Sequence, residues 1–194
     1  MNVLVILCHP QPGSFNHAVA DRVVATLTEL GHRTRRHDLY TEGFDPVLPE
    51  EELRRGLSFD ARVLEHSEEL AACSGLVFVH PEWWGTPPAL LKGWIDRVFR
   101  PGIAYEFEGE EFLRKRKTPL LSGRKALVFA TTDASAAEDP KTLESFWNRS
   151  VFAYCGLEAS AVHLLRDLHR LESADRTAWL RSVAEIIRTW FPEA

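Results

Sequence analysis

The sequence predicts a doubly wound α/β fold, and three observations carry that expectation. Three short runs are continuously apolar, from Val3 to Cys8, from Leu76 to Val79 and from Ala126 to Ala130. Strands buried on both faces read this way, whereas half-exposed strands alternate. Stretches with apolar residues at helical spacing separate these runs. The length of 194 residues, 45% hydrophobic and 26% charged, suits one domain over 1–194, and no linker-like stretch divides it. Alternating β and α segments with buried strands imply a three-layer sandwich, a parallel sheet covered by helices on both faces. Right-handed crossovers leave 2-1-3-4-5 as the simplest order for five strands.

Each element has its own local reason. The first apolar run stops at His9-Pro10, and the turn residues Pro10, Pro12, Gly13 and Ser14 follow. Phe15, Val19, Val23, Leu27 and Leu30 then repeat at helical spacing up to Gly31, a natural C-terminal stop. His32 to Leu39 is polar and β-compatible, as an edge strand should be; 40–58 reads as irregular and acidic, and a helix follows to about Ala72. The second buried strand ends at His80-Pro81-Glu82-Trp83-Trp84-Gly85. Thr86 is then expected to cap a helix whose first turn holds Pro87 and whose apolar stripe is Leu90, Leu91, Trp94, Ile95, Val98 and Phe99. An insertion over 103–123 carries the basic run Arg114-Lys115-Arg116-Lys117, which reads as a solvated segment. The third buried strand is followed by a helix bearing Leu143, Phe146, Trp147, Val151 and Tyr154, and a fifth strand runs from Leu157 to Leu165. Trp179, Val183, Ile186, Ile187 and Trp190 stripe the last helix.

Composition removes several classes of function. The net charge of -5 gives no footprint for nucleic acid. Three cysteines, at 8, 73 and 155, are too few and too scattered for a disulfide framework or a zinc site, and they fit a reducing, cytoplasmic setting. The N-terminal apolar run is too short for a signal peptide or a membrane span. No Gly-Lys-Ser/Thr phosphate loop, G-x-G-x-x-G fingerprint or G-x-S-x-G elbow is present. His9 and His80 would end neighbouring strands, but without an H-x-x-x-H pair or a carboxylate cluster they read as hydrogen-bonding residues, so no metal is expected.

In such a fold ligands sit outside the carboxyl ends of the strands, where strand order reverses. That singles out the loops 9–16, 80–87 and 131–139. The first joins a buried strand to a helix N-terminus, a favourable place for a phosphate with His9, Ser14 and Asn16 as donors; an ordinary turn capped by Ser14 or Asn16 accounts for the same residues. In the second, Trp83 and Trp84 beside Gly85-Thr86-Pro87-Pro88 would wall a flat conjugated ligand, or one indole packs beneath the loop and one remains available. The third offers Thr131, Thr132 and Asp133, although capping of the next helix by Asp133 or Ser135 explains part of it.

The block from Pro81 to Phe99, PEWWGTPPALLKGWIDRVF, resembles the signature of the flavodoxin-like NAD(P)H:quinone oxidoreductases, and its Trp-Trp-Gly form is similar to a bacterial branch. His9 with Ser14-Phe15-Asn16, Asp38-Leu39-Tyr40, Phe44-Asp45-Pro46, Ala104-Tyr105, Thr131-Thr132 and Tyr154-Cys155-Gly156 resemble the same family in the same order. The resemblance implies a flavodoxin-like domain with a bound flavin, FAD by preference and FMN as the alternative, and NAD(P)H as co-substrate. It implies that His9, Ser14, Phe15 and Asn16 hold the phosphate side. Pro81, Glu82, Trp83, Trp84 and Gly85 would lie along the ring, and Thr131, Thr132 and Asp133 at its other edge. Tyr105 and Phe107 would line a substrate pocket for a quinone or similar electrophile, in a homodimer with ping-pong kinetics. One departure stands out. Vertebrate-type relatives follow the two threonines with Gly-Gly and then a Tyr and a His at the reduced flavin, whereas Asp133-Ala134-Ser135-Ala136-Ala137-Glu138 supplies neither. A flavodoxin-type electron carrier and a flavin-binding accessory or regulatory subunit are the alternative functions.

Overall fold

In the computed structural model, β1 (Asn2–Leu7), β2 (Arg33–Asp38), β3 (Gly75–Pro81), β6 (Lys125–Thr131) and β7 (Ala159–Leu165) form one sheet in the order β2-β1-β3-β6-β7. All four pairings are parallel, which is the expected 2-1-3-4-5 arrangement. The residues described are 1–108, 116–134, 141–157 and 159–193. The three continuously apolar runs are the three central strands, and every residue of β3 is buried. β2 lies at the edge, with Arg33 and Arg35 exposed.

Strand alternation sorts the core into two layers. Leu4, Ile6, Phe78 and Val128 face one layer with α3 (Ala61–Ala72), α4 (Ala89–Val98), Trp94 and Trp147. Val3, Val5, Val77 and Phe129 face the other, under α1 (Phe15–Glu29) and α7 (Ser173–Trp190). Each fully buried aliphatic or aromatic side chain contributes about 1.5–3 kcal/mol. One close approach fixes α4 in place: a Cβ at Gly93 would lie 2.3 Å from the Pro46 carbonyl oxygen. Beside it Arg97, only 3% exposed, donates to the Asp45 carbonyl at 2.7 Å and to Glu52 Oε1 at 2.5 Å.

Several local expectations change. Thr86 does not cap α4, which begins at Ala89 after Pro88. A residue that precedes a proline is pushed out of helical geometry, so Pro87 before Pro88 cannot enter the helix. Within 40–58 a short helix forms, α2 (Glu50–Arg55), with three glutamates in its first turn and two arginines in its last, matching the helix dipole. The 103–123 insertion contains an antiparallel pair, β4 (Tyr105–Glu108) and β5 (Arg116–Pro119). The helix after β6 is composite: α5 (Lys141–Ser145), a π-helical stretch Phe146–Phe152, then α6 (Ala153–Cys155). β7 starts at Ala159, two residues later than the apolar pattern suggests. Arg114, Lys115 and Ser135–Glu138 lie outside the described residues.

Candidate functional site

The C-terminal ends of β1, β3 and β6 open onto a cavity of about 370 Å³, a volume in the range of small-molecule sites. His9, Pro81, Glu82, Trp83, Trp84, Thr131, Thr132 and Asp133 line it, joined by Ala134 and Leu168. Three loops that are far apart in sequence thus meet where strand order reverses.

Glu82 fastens two of them together. Its backbone N–H donates to the Thr131 carbonyl at 2.7 Å, its Oε2 accepts from Thr132 Oγ1 at 2.6 Å, and its Oε1 accepts from the Gly85 N–H. Trp83 and Thr86 exchange backbone bonds at 2.9 and 3.1 Å and close the turn. At its tip Trp84 sits at φ 56° and is 99% exposed, and Trp83 is 41% exposed. Neither indole packs beneath the loop. A non-glycine residue in the left-handed region costs about 1–2 kcal/mol, and here that cost places a large apolar ring in solvent. Gly85 does not face the cavity. Its φ is 75°, in the left-handed region that favours glycine, and a Cβ there would crowd Thr142 Cγ2 at 3.0 Å.

His80 supports the same wall from below. It is fully buried, and Trp147 Nε1–H donates to its Nε2 at 3.1 Å. Indole N–H is donor-only, so the ring proton lies on Nδ1, where it is donated to the Pro81 carbonyl at 2.9 Å. Burial pushes its pKa down to about 4. His9 Nδ1 lies 3.1 Å from the Gln11 backbone nitrogen and 3.3 Å from the Gln11 carbonyl oxygen, and burial holds its pKa below the ordinary value.

The remaining expected residues divide. Ser14 is the N-cap residue of α1, but its side chain makes no cap bond and its Oγ lies 2.8 Å from His17 Nδ1. Asn16 is buried and donates to Thr131 Oγ1 at 2.9 Å, tying α1 to the cavity floor. Its Oδ1 is buried with no hydrogen-bond partner among the described residues. Phe15 packs on Trp179 with ring centroids 5.9 Å apart and does not line the cavity. Tyr105 and Phe107 lie on the hairpin, outside the cavity lining, with ring centroids 5.4 Å apart; Tyr105 also meets Tyr154 at 5.0 Å. Asp133 accepts from the His169 N–H and contacts its Nδ1, both at 3.1 Å, so its carboxylate holds the segment after β7. Leu168 and His169 carry no motif in the sequence. They reach the rim because Leu168 N–H donates to the Thr132 carbonyl at 3.2 Å.

A second polar cluster lies between β2 and α3. His37, Glu42 and His66 bring potential ligand atoms within 4.8 Å of one another. The bonding argues against an ion. Trp94 Nε1–H donates to His66 Nδ1 at 2.7 Å, so the His66 proton is on Nε2 and faces Glu42 Oε2 at 3.3 Å, leaving neither ring nitrogen for a metal. His37 faces Glu42 Oε1 at 2.9 Å through Nδ1 and Glu69 through Nε2. Burial opposes its charge, but the two carboxylates outweigh burial and raise its pKa. Burial likewise opposes the Glu42 charge, and bonds from His37 and His66 outweigh it, drawing its pKa down to about 2.

With the geometry in place, comparison with known proteins identifies the class. The profile of the family described as having a flavodoxin-like fold (Flavodoxin_2) matches residues 1–187. The chain belongs to this family. An uncharacterised NAD(P)H oxidoreductase of Haemophilus influenzae is 31% identical over 194 residues, spanning 95% of this chain and 93% of that protein. The crystal structure of an NAD(P)H:quinone oxidoreductase from Methanothermobacter marburgensis superposes with a TM-score of 0.81 at 26% identity, covering 97% of this chain and 96% of that one. An FMN-dependent NADH-azoreductase of Bacillus anthracis, crystallised with FMN, shares the fold at a TM-score of 0.75 and 17% identity over 97% and 98% of the two chains.

Proposed function

We propose that this chain is a flavin-dependent NAD(P)H oxidoreductase that reduces a quinone or a similar electrophilic acceptor. The cavity at the ends of β1, β3 and β6 carries the reading, because two solvent-facing indoles and a hydrogen-bonded polar loop border it together. The residues present fit a flavin. Trp83 and Trp84 offer flat apolar surface, His9 lines the cavity with an imidazole whose charge burial disfavours, and the orphaned Asn16 Oδ1 beside Thr131 is an acceptor that a hydroxyl-bearing ligand would satisfy. The names of the Haemophilus influenzae and Methanothermobacter marburgensis relatives agree with an oxidoreductase. FAD is the preferred form, and FMN shares its ring and first phosphate.

When bound, the flavin supplies the hydride and electron transfer that no side chain here offers. The protein binds and orients. Glu82 holds the loops 82–85 and 131–132 in register, and His80 fixes the Pro81 carbonyl. The N-termini of α1 and α4 add positive potential near the cavity. Nicotinamide and acceptor would use the same cavity in turn, so ping-pong kinetics are expected. A second copy of the chain would complete the pocket with Tyr105 and Phe107 from its hairpin. Among the described residues no helix is long and apolar enough to cross a membrane.

The test is direct. Purified protein is expected to show flavin absorbance, to release a cofactor with the mass of FAD or FMN, and to oxidise NADH or NADPH with a small quinone, giving parallel double-reciprocal lines. Colourless protein that binds neither flavin defeats the reading. Flavin-loaded protein that neither nicotinamide reduces replaces it with an electron carrier or an accessory subunit.

A further inference from the structure

We propose that a second, apolar cavity behind the Trp83–Trp84 turn is the subsite for an aliphatic side chain of the acceptor, whose ring occupies the first cavity. The inference rests on the flavin reading and deepens it by naming the class of acceptor.

The second cavity holds about 380 Å³, close to the volume of the first. The two share Trp83 and Trp84 and no other lining residue. The turn is thus a partition with an indole-lined space on either side. It is a firm one, because Trp83 and Thr86 exchange backbone bonds and the Glu82 carboxylate holds the Gly85 N–H. Both indoles are exposed at its tip, so a chain that crosses from one cavity to the other stays on aromatic surface.

The far walls select what can sit there. Beyond the indoles they are built from Thr86, Pro87, Pro88, Ala89, Lys92 and Phe146. The two prolines have no N–H to offer. Thr86 Oγ1–H is already donated to the Trp83 carbonyl at 3.1 Å, and both Asp96 oxygens hold the Lys92 ammonium, at 2.6 and 2.7 Å. Neither the hydroxyl nor the charge is left for a ligand. A polar group entering here would give up water without replacement, whereas methylenes gain by leaving it. The first cavity is the opposite, lined by His9, Glu82, Thr131, Thr132 and Asp133. A molecule with a polar ring and an aliphatic chain matches the pair.

Phe146 closes the apolar side. Gly85 of the turn lies against Thr142 of α5, and Phe146 follows one helical turn later. Its ring stands edge-on to the buried Trp147, with centroids 5.3 Å apart. It also opens the π-helical stretch Phe146–Phe152, a form frequent at functional sites.

The test uses resorcinol, butylresorcinol and hexylresorcinol, redox-inert rings that differ only in chain length. Calorimetry on flavin-loaded and flavin-free protein gives their dissociation constants. Each of the first methylenes should tighten binding about two- to fourfold. Ala89→Gln places a neutral amide in the cavity from an exposed position, and Phe146→Ser removes its aromatic wall. Both variants should bind resorcinol as wild type does and lose most of the gain with chain length. With benzoquinone and hexylbenzoquinone as acceptors, they should raise KM for the hexyl compound alone, leaving kcat and the flavin spectrum unchanged. Equal constants for the three resorcinols in wild type overturn the subsite, as does a gain that both folded variants keep in full. A gain that vanishes as sedimentation shows the chain pairing gives the cavity to a second copy and overturns it too. Protein that shows the gain but binds neither flavin overturns the flavin reading and leaves the apolar subsite standing.

Discussion

Two buried tryptophans do the same thing in different places, with opposite electrostatic results. Trp147 donates to His80 beneath the cavity, and Trp94 donates to His66 beside the edge strand. Each indole fixes one imidazole tautomer. His80 then donates its proton to a neutral carbonyl, Pro81, whereas His66 Nε2 lies 3.3 Å from the carboxylate of Glu42, which also faces His37. The chain under the cavity carries no ion. The chain at the edge of the sheet joins an ionic cluster that continues through Glu69 to Arg35, where water reaches the outer charges. The contrast shows how the fold keeps an uncharged support beneath the candidate cavity, and places buried charge where it can be compensated and partly hydrated.

The largest expected effects come from removing the indoles altogether. Trp147→Ala and Trp94→Ala should each cost about 3–5 kcal/mol in chemical denaturation, because both rings are fully buried. Trp→Phe at either position keeps most of the packing and should cost about 1–3 kcal/mol, since it strands a buried acceptor. The two Phe variants should then separate. Trp94→Phe disturbs the support of the ionic cluster formed by His37, Glu42 and Glu69 and should alter the pH profile of the melting temperature, while Trp147→Phe, on a chain that ends at a neutral carbonyl, should leave that profile unchanged. Matching profiles would erase the distinction between neutral and ionic chains.

The ionic cluster also sets a pH window. His37 has a raised pKa, so its stabilisation is full below its ordinary 6.5 and fades as pH rises through the raised folded value. Glu42 and Glu69 are lowered, so theirs is full above the ordinary 4.5 and fades as pH falls, for Glu42 toward about 2. The difference in melting temperature between wild type and His37→Asn should peak between about pH 4.5 and 6.5 and shrink on both sides. A difference that grows above that window would refute the assignment.

The smallest expected effect on stability belongs to the exposed indole. Trp84→Ala should change stability by no more than about 0.5 kcal/mol yet weaken flavin retention. Trp179→Ala should mainly lower stability, since that ring packs on Phe15 and Phe129. Equal flavin loss in stably folded forms of both would remove Trp84 from the site.

The sequence by itself determined the sheet. Three continuously apolar runs read as buried central strands, and alternation with helical stripes made the order found, β2-β1-β3-β6-β7, the simplest one. It also indicated the loops that meet at the cavity, because strand ends at a reversal of order lie together in any such fold. Trp83 and Trp84 stood out for the same reason, as large apolar residues with no helical stripe to join. What the tertiary structure decided is the polar wiring. Apolar periodicity places Trp94 and Trp147 in the core but says nothing about where an indole N–H ends up. Nor could it turn Asn16 inward, link Ser14 to His17 and Asp38, or bring Leu168 and His169 to the rim. Burial follows from local sequence pattern, whereas a hydrogen bond needs two atoms within about 3 Å, and across distant elements only the folded chain sets that distance.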